Sequence, residues 1–381
     1  MKVIIAPNAF KGSLDAAGVA EAMAAGVRRV FPQAEILELP IADGGDGTLP
    51  LILRASGGEM VQVSVRDPLG RPVQAAFGVL PDGNTAVIEM ATASGLRLLT
   101  LDELNPMRAS TTGTGQLITA ALDHGCRRII IGVGGSATVE GGIGMAKALG
   151  VRLLDAQDQP IGEGGAALMN LHHIDLSQRD PRLAETEIIV ASDVENPLVG
   201  EEGAARIFGP QKGATPEMVA QLEAGLTHYG QIIERETGIH VLTRPAMGAA
   251  GGITAALVAF LGARIESGAG VILDLMSMDT HLQGASLLLT GEGRIDAQTA
   301  YGKAPVVVAR MAQKHGVPVT AFAGSLSDDA DAVLAHGIDA LVPIVSRPMP
   351  LEEAMRSASQ LIEEAAYRAM LLVQLGFSTK G

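Results

Sequence analysis

The feature that most constrains the fold is a short apolar segment, a glycine-containing loop and an amphipathic helical stretch, repeated along the chain. The apolar segments occupy residues 3–6, 36–42, 286–290, 319–324 and 340–344. Alternation of strand and helix is typical of a parallel sheet, because each crossover helix returns the chain to the edge where the next strand begins. We therefore predict an α/β fold with a doubly wound parallel sheet. In the first unit Ser13 is the expected N-cap, which places Lys11 just ahead of a helix amino terminus.

The middle of the chain has a different sequence pattern. Three apolar-rich segments are separated by the turn sequences DPLGRP and PDGN, which indicates consecutive antiparallel strands. They lie at residues 61–65, 73–80 and 85–90. A long helix is predicted from about 215 to 238. We predict two domains, in which residues 1–65 and 285–381 form a discontinuous parallel-sheet domain and residues 66–284 form an inserted mixed α/β domain.

Composition narrows the choice of partner and compartment. The formal net charge is −14 and no Lys/Arg-rich run interrupts it, which argues against a nucleic-acid or anionic-membrane partner. No apolar stretch approaches the roughly 18–20 residues that a membrane-spanning helix needs. The apolar run after Lys2 is too short for a signal peptide, and a single cysteine, Cys126, fits a reducing compartment. We predict a cytoplasmic protein that binds small anions locally.

Four glycine-rich loops carry charged or hydroxyl side chains. They are residues 42–48, 132–142, 208–214 and 290–299. Glycine lets backbone amides approach an anion, and neighbouring carboxylates can hold a hydrated cation beside it. The combination suits a magnesium–nucleotide site.

The first two loops have competing interpretations. Asp43 and Asp46 follow a predicted strand and either bind Mg²⁺ or cap the next helix. The turn from Gly132 to Ala137 fits the pattern G-x-G-x-x-A after a strand, and Asp155 ends another apparent strand further on. This indicates a dinucleotide site, another phosphate site, or a purely structural turn.

Two single residues stand out in the loops that follow. Asp193 comes after the apolar run at 187–191, so its carboxylate should project from a strand end. There it acts either as a base toward a substrate hydroxyl or as a turn aspartate bonded to neighbouring amides. Lys212 lies between Pro210 and Gly213, where it either meets an anion or is an ordinary solvated lysine.

The loop after the strand at 286–290 concentrates charge. Within twelve positions it carries Glu292, Arg294, Asp296, Thr299 and Lys303. Few structural loops need so many charges beside three glycines, which favours a functional role. The spacing is not that of a Walker A loop, and protein-kinase motifs are missing.

Six motifs in series carry a family resemblance. They are PNAFKGSL, IADGGDGT, GVGGSATVEGGIGM, NPLVGEEGAARIFGPQKGA, GAAGG and TGEGRIDAQTAYGKAP. Together they resemble the bacterial glycerate kinase family, the class distinct from the plant-type enzyme, from residue 2 to about residue 375. The resemblance implies two α/β domains, one Rossmann- or flavodoxin-like, with the active site in the cleft between them. It implies transfer of the γ-phosphoryl group of ATP to D-glycerate with Mg²⁺, most often giving 2-phosphoglycerate.

For this chemistry we expect a division of roles among the residues singled out above. Asp193 would accept the proton of the glycerate hydroxyl, and Asn196 would help to orient the substrate. Cations would clamp the substrate carboxylate and the nucleotide phosphates: Lys11, Lys212, Arg294 and Lys303. Backbone amides would cradle a phosphate at Gly134, Gly135 and Ser136. The pool that supplies the Mg²⁺ ligands consists of Asp43, Asp46, Glu292 and Asp296, with the assignment within it left open.

Some positions depart from the usual family pattern. Asn8 and Gln116 stand where acidic residues are common, so neither is given a metal role, and Met247 stands where Gly or Pro is frequent. Two rival functions remain, an NAD-dependent dehydrogenase built on the Gly132–Ala137 turn and a non-catalytic sensor of acidic ligands. The phosphorylated hydroxyl and the oligomeric state stay open, with a homodimer as one candidate.

Overall fold

The computed structural model describes residues 1–41 and 47–378. Internal contacts divide the chain into two compact units, residues 1–43 with 269–381 and residues 44–268. Each unit is built around its own sheet. The domain limits expected from the sequence, 66 and 285, stay a prediction. Among the described residues, no helix is both long enough and apolar enough to cross a membrane.

The first unit contains a five-stranded sheet in which every pair of neighbours is parallel, in the order β13-β12-β11-β1-β2. The strands are β1 (Lys2–Ile5), β2 (Glu35–Glu38), β11 (Leu287–Ile295), β12 (Val319–Leu326) and β13 (Ala340–Pro343). The helices associated with this sheet are α1 (Ala16–Val30), α9 (Gly268–Leu275), α10 (Met278–Leu282), α11 (Ala304–Lys314), α12 (Leu351–Arg356) and α13 (Ala358–Ser378), with 3₁₀ turns at Ala297–Tyr301 and Ala330–His336. This confirms the predicted parallel sheet.

Helix α1 starts later than expected. Its N-cap is Asp15, whose carboxylate accepts a hydrogen bond from the amide of Gly18 at 2.8 Å. Ser13 instead donates its hydroxyl to the carbonyl of Phe10. The expectation that Ser13 caps the helix was wrong because an aspartate two residues later offers a stronger acceptor to the first-turn amides. Apolar residues of α1 and α13 pack together against the sheet in the core of this unit.

The second unit contains a six-stranded mixed sheet in the order β10-β9-β6-β5-β4-β3. Its strands are β3 (Glu59–Arg66), β4 (Pro72–Val79), β5 (Thr85–Glu89), β6 (Arg128–Gly132), β9 (Glu187–Ala191) and β10 (Arg264–Glu266), and a separate antiparallel ribbon is formed by β7 (Arg152–Leu154) and β8 (His173–Asp175). Strands β3, β4 and β5 pair antiparallel as the turn sequences predict, whereas β5, β6, β9 and β10 are parallel.

Helices pack around this second sheet. They are α2 (Thr48–Ser56), α3 (Ala91–Ser94), α4 (Thr112–Asp123), α5 (Ile143–Ala148), α6 (Ala204–Phe208), α7 (Pro216–Thr237) and α8 (Ala249–Leu261), with 3₁₀ turns at Leu96–Leu98, Gly165–Asn170, Pro181–Glu185 and Pro210–Lys212. Helix α7 confirms the long helix predicted from about 215 to 238. The core is aliphatic, and its large aromatic members Phe77, Tyr229 and Phe260 are fully buried.

The register of the four parallel strands aligns their carboxyl ends. Glu89 at the end of β5 pairs with Gly132 of β6, Gly132 pairs with Ala191 of β9, and Ala191 pairs with Glu266 of β10. Neighbouring strands lie about 4.8 Å apart. The loops that follow these strands therefore leave the sheet side by side, at the edge where open α/β sheets bind their ligands.

Candidate active site

The turn after β6 presents three consecutive backbone amides. Gly135 has a left-handed φ of +70°, its carbonyl accepts from the amide of Leu96, and the amide of Ala137 donates to the carbonyl of Ser94. Among the described residues, no acceptor pairs with the amides of residues 134–136. Consecutive amides around a left-handed residue can form a concave anion site. The phosphate cradle at residues 134–136 stays a prediction.

The buried side chain of Lys212 bonds to two residues of this loop, Ser136 and Thr138. Its side chain is 2% exposed, and its Nζ donates to Ser136 Oγ and to the carbonyl of Thr138, each at 2.7 Å. Burial lowers the pKa of Lys212 from 10.5 to about 7. The solvated-loop interpretation of Lys212 was wrong, because the 3₁₀ turn Pro210–Lys212 directs the side chain into the protein.

The buried ammonium predicts a pH-dependent stability. Because the folded-state pKa of Lys212, about 7, lies below the ordinary 10.5, the unfolded chain binds more protons between these values. The free energy of unfolding of the wild type therefore rises with pH across that window, and below it the cost of burying the charge is present in full. In Lys212→Met this contribution is absent, so its melting temperature relative to wild type should fall from pH 7 to pH 10 by calorimetry. A constant difference would contradict the assignment.

Glu140 anchors the far end of the same loop. Its carboxylate is fully buried and accepts from the amide and hydroxyl of Thr111, from the amide of Gly144 at 3.0 Å and from the amide of Gly164 at 3.1 Å. Burial raises the pKa of Glu140, and these hydrogen bonds offset the rise only in part. One side chain thus joins the loop to α4, to α5 and to the segment before the Gly165–Asn170 turn.

The GAAGG segment, residues 248–252, contacts the same loop at Gly141 and Thr138. Gly251 accepts from the amide of Gly141 at 2.9 Å. Its φ is +75°, and a Cβ there would lie 2.0 Å from the carbonyl oxygen of Thr138, so only glycine fits. Tyr229 donates its hydroxyl to the carbonyl of Gly141. Met247, one of the positions that departs from the family pattern, is fully buried in the core beside this segment.

Asp193 lies in the next loop, two residues after β9. The residue is exposed, and its Oδ1 accepts from Ser267 Oγ and from the amide of Gly268, both at 2.9 Å. These donors come from the loop after β10, the neighbouring strand, and not from the turn of Asp193 itself. Asn196 donates its side-chain amide to the carbonyl of Glu202 at 2.8 Å, within its own loop.

In the first unit, the charged segment lies toward the carboxyl ends of β1 and β11. The prediction that residues 290–299 form a loop was wrong for residues 290–295, because β11 continues to Ile295 and includes Glu292 and Arg294. Asn8 donates its amide to the carbonyl of Gly291 at 2.8 Å, which extends the pairing of the two strands. Thr299 donates its hydroxyl to Glu292 at 2.7 Å, and its amide donates to Asp296 at 3.2 Å. Asp296 is thereby the N-cap of the Ala297–Tyr301 turn.

The predicted cations surround this pair of carboxylates. Lys303 Nζ lies 3.5 Å from Asp296 Oδ1, and Arg294 Nε lies 3.7 Å from its Oδ2. Burial raises the pKa of Glu292, while the hydrogen bond from Thr299 and the charges of Lys303 and Lys11 oppose the rise. Lys11, in the exposed loop after β1, thus acts on the same carboxylate. Four predicted site residues of this loop region and Lys11 therefore form one cluster.

An open groove of about 710 Å³ adjoins this cluster. It is lined by Arg294, Asp296, Gln298, Ser327, Asp328 and Asp329. Polar and charged groups dominate the lining, as expected of a surface that binds a hydrated, charged ligand rather than an apolar one.

One family model accounts for the order of these loops along the chain. The model of the glycerate kinase family matches residues 3–374. The chain belongs to the glycerate kinase family. This confirms the resemblance and the kinase class expected from the six motifs.

Relatives that match the chain over nearly their whole length support its membership in this family. The chain is 48% identical over 366 residues to a glycerate kinase of Bacillus subtilis, which covers 96% of each protein. It is 45% identical over 381 residues to a glycerate 2-kinase of Escherichia coli K12, which covers both proteins completely. The crystal structure of a glycerate kinase 2 of Salmonella typhimurium LT2 superposes with a TM-score of 0.85 at 44% identity, over 99% of each chain.

The dinucleotide alternative finds no support in this glycerate kinase family member. A dinucleotide turn opens directly into a helix, but here α5 begins only at Ile143. Asp155 follows β7, which belongs to the separate ribbon and not to the six-stranded sheet. Its Oδ1 accepts from the amides of Gln157 and Gln159, as a turn aspartate does.

The predicted magnesium ligands divide into two groups. Asp43 and Asp46 lie outside the described residues. Within residues 1–41 and 47–378, no group of three acidic, His or Cys side chains is arranged to hold a metal ion. Glu292 and Asp296, linked through Thr299, offer hard oxygen donors, and Mg²⁺ is commonly held by one or two carboxylates together with substrate phosphates. The donor set fits a magnesium ion that arrives with a nucleotide.

The two amide side chains that replace acidic residues both bind backbone. Asn8 Oδ1 accepts from the amide of Ala9 at 2.7 Å, and Gln116 Oε1 accepts from the amide of Arg66 at 2.8 Å. An amide oxygen serves such a backbone donor without a charge. Asn8 bonds the next residue of its own loop, whereas Gln116 joins α4 to the end of β3, fifty residues earlier.

Three polar residues of the site were missed from the sequence. Glu89, at the end of β5, is 5% exposed and accepts from the amide of Leu49 at 2.6 Å, at the start of α2. Ser267 contacts Asp193, and Thr111 contacts Glu140. Glu89 is the last residue of β5, Ser267 follows β10 by one residue, and Thr111 precedes α4 by one residue. The carboxyl ends of the strands TAVIE and RIE were the available signal for Glu89 and Ser267.

Proposed function

We propose that the chain transfers the γ-phosphoryl group of ATP to D-glycerate, giving 2-phosphoglycerate, with Mg²⁺. The observation that carries the proposal is the pairing of Gly132 with Ala191 at the ends of adjacent parallel strands. This register brings a turn with three available amides next to the loop of an exposed carboxylate, Asp193. Phosphoryl transfer needs such a juxtaposition of an anion site and a proton acceptor. The names of the relatives support glycerate as the acceptor.

In this proposal the amides of residues 134–136 bind an anionic group of a substrate. Lys212 does not reach out to that anion as a surface residue; its ammonium lies behind the turn and is bonded to Ser136 and Thr138. When Lys212 is protonated, which its pKa of about 7 makes partial near neutral pH, the buried positive charge strengthens the field at the anion site because little water screens it. In this proposal Lys212 therefore acts through the turn and does not clamp the substrate directly.

Asp193 is assigned the role of proton acceptor. Its carboxylate is exposed, so a substrate hydroxyl can approach it, and a positioned carboxylate takes the proton as the hydroxyl attacks phosphorus. Asn196, in the same loop, is proposed to orient the acceptor, although its side chain also bonds the carbonyl of Glu202.

The first unit is proposed to contact the nucleotide phosphates through Lys11, Arg294 and Lys303. Mg²⁺, when bound, neutralises charge on the phosphoryl groups. Glu292 and Asp296 are proposed as its ligands, together with Asp43 and Asp46. The location of the active site in a cleft between two domains, the cytoplasmic compartment and a homodimer stay predictions.

The proposal is tested by ADP release from Mg-ATP with and without D-glycerate. We expect release that depends on D-glycerate and that stops when EDTA removes Mg²⁺. Thermal-shift measurements should show protection by Mg-ATP and none by NADH. A protein that is protected by D-glycerate and ATP but releases no ADP would be the acidic-ligand sensor and would contradict the proposal.

A further inference from the structure

Ser267 lies beside Asp193 because of the strand register. Ala191 of β9 pairs with Glu266 of β10, and the amide of Ser192 donates to the carbonyl of Glu266 at 3.1 Å, which continues the pairing past the strand ends. The loops of both strands therefore remain adjacent for two further residues. This brings the side chain of Ser267 to the carboxylate of Asp193.

Two donors meet on one oxygen of that carboxylate. Ser267 Oγ and the amide of Gly268 both lie 2.9 Å from Asp193 Oδ1. Hydrogen bonds to an ionised acceptor are stronger than those between neutral groups. Because a carboxylate is planar, fixing Oδ1 with two donors also sets the direction in which Oδ2 points.

Packing alone does not hold this side chain. Asp193 is exposed, and an exposed aspartate ordinarily samples several rotamers. The bonds from Ser267 and Gly268 restrict that sampling and so reduce the entropy lost when a substrate hydroxyl must be met at a fixed angle.

Glycine at position 268 leaves room for the second oxygen. A Cβ on Gly268 would lie 3.1 Å from Asp193 Oδ2 and 3.5 Å from the amide of Ser192. The first distance is tighter than most contacts of a real Cβ, so a side chain here would press on the carboxylate. The segment Ser267–Gly268 thus supplies two donors to the carboxylate of Asp193 and leaves space beside it.

We propose that Ser267 is a positioning residue that orients the carboxylate of Asp193 for proton transfer from the acceptor hydroxyl. The inference rests on the proposed function, in which Asp193 is the proton acceptor. Ser267 itself does not contact the reacting atoms; it acts through Asp193.

The test compares Ser267→Ala, Ser267→Thr, Asp193→Asn and the double variant Ser267→Ala/Asp193→Asn, assayed with D-glycerate and Mg-ATP. We expect Ser267→Ala to lower kcat about tenfold, the usual effect of losing a hydrogen bond to a charged group, with KM for both substrates little changed. Ser267→Thr keeps the hydroxyl and should retain most of the turnover. In the Asp193→Asn background, Ser267→Ala should have no further effect.

Ser64→Ala is the matched control, since Ser64 is exposed on β3 of the same unit, and it should leave kcat unchanged. Wild-type turnover in Ser267→Ala, or a full tenfold loss added to that of Asp193→Asn, would overturn the inference while leaving the proposed function intact. An inactive wild type would instead refute the proposed function. Thermal melts of all variants identify any loss that comes from unfolding.

Discussion

Replacing Asp193 with Asn is expected to lower kcat by roughly 10² to 10⁴, the range for losing a positioned acid or base. The amide is nearly isosteric and keeps an oxygen that can accept from Ser267 and Gly268, so the loop after β9 retains its two cross-strand bonds. What is lost is the ability to take the proton of the acceptor hydroxyl. KM for both substrates should therefore change much less than kcat, as measured by steady-state ADP release.

The control for this substitution is Asp102→Asn, because Asp102 is an exposed aspartate of the same unit. It removes the same charge at a position outside the proposed site and should leave kcat unchanged. Near-normal turnover in Asp193→Asn, with normal turnover in the control, would remove Asp193 from the chemistry.

Replacing Glu140 with Ala is the change with the largest expected effect on stability. It removes the acceptor for three backbone amides and one hydroxyl, all in the interior. Unsatisfied buried donors cost about 1–3 kcal/mol each, and water entering the vacated space recovers part of that. We expect a loss of about 3 kcal/mol or more in the free energy of unfolding. For a unit of this size that is about 6–12 °C in melting temperature.

Two further variants test this prediction, one with an intermediate expected effect and one as a control. Glu140→Gln keeps one acceptor oxygen but places an NH₂ group against the other donors, so it should fall between wild type and Glu140→Ala. Glu163→Ala removes an exposed glutamate one residue before Gly164 and should leave the melting temperature unchanged. If Glu140→Ala melts within about 2 °C of wild type, Glu140 is not the anchor described above.

The sequence was most informative where a function depends on neighbours along the chain. Strand–loop–helix alternation predicted the parallel strands, and Asp193 was correctly placed in the loop after β9. The placement of Glu292 in a loop was wrong, because β11 continues to Ile295. Parallel strands bring their carboxyl ends to one edge whatever their order. This general property made the location of the candidate residues predictable before the strand order was known.

The sequence was least informative about partners supplied by distant segments. The burial of Lys212 depends on Ser136 and Thr138, which lie more than seventy residues earlier. The four bonds of Glu140 likewise come from three separate segments. No local pattern distinguishes a lysine that turns inward from a solvated one, because the difference is set by tertiary packing. The role of Asp155 was misjudged for the same reason, since only strand pairing shows that β7 lies outside the main sheet.

Phosphorus-31 NMR of a reaction containing the protein, Mg-ATP and D-glycerate tests the central claim most directly. A phosphate ester on the C2 hydroxyl couples to a single proton and gives a doublet, whereas an ester on the C3 hydroxyl couples to a methylene pair and gives a triplet. We predict a new doublet that grows as the γ-phosphate signal of ATP declines. Decline of the ATP signal with ADP and inorganic phosphate as the only new phosphorus species would contradict phosphoryl transfer to glycerate.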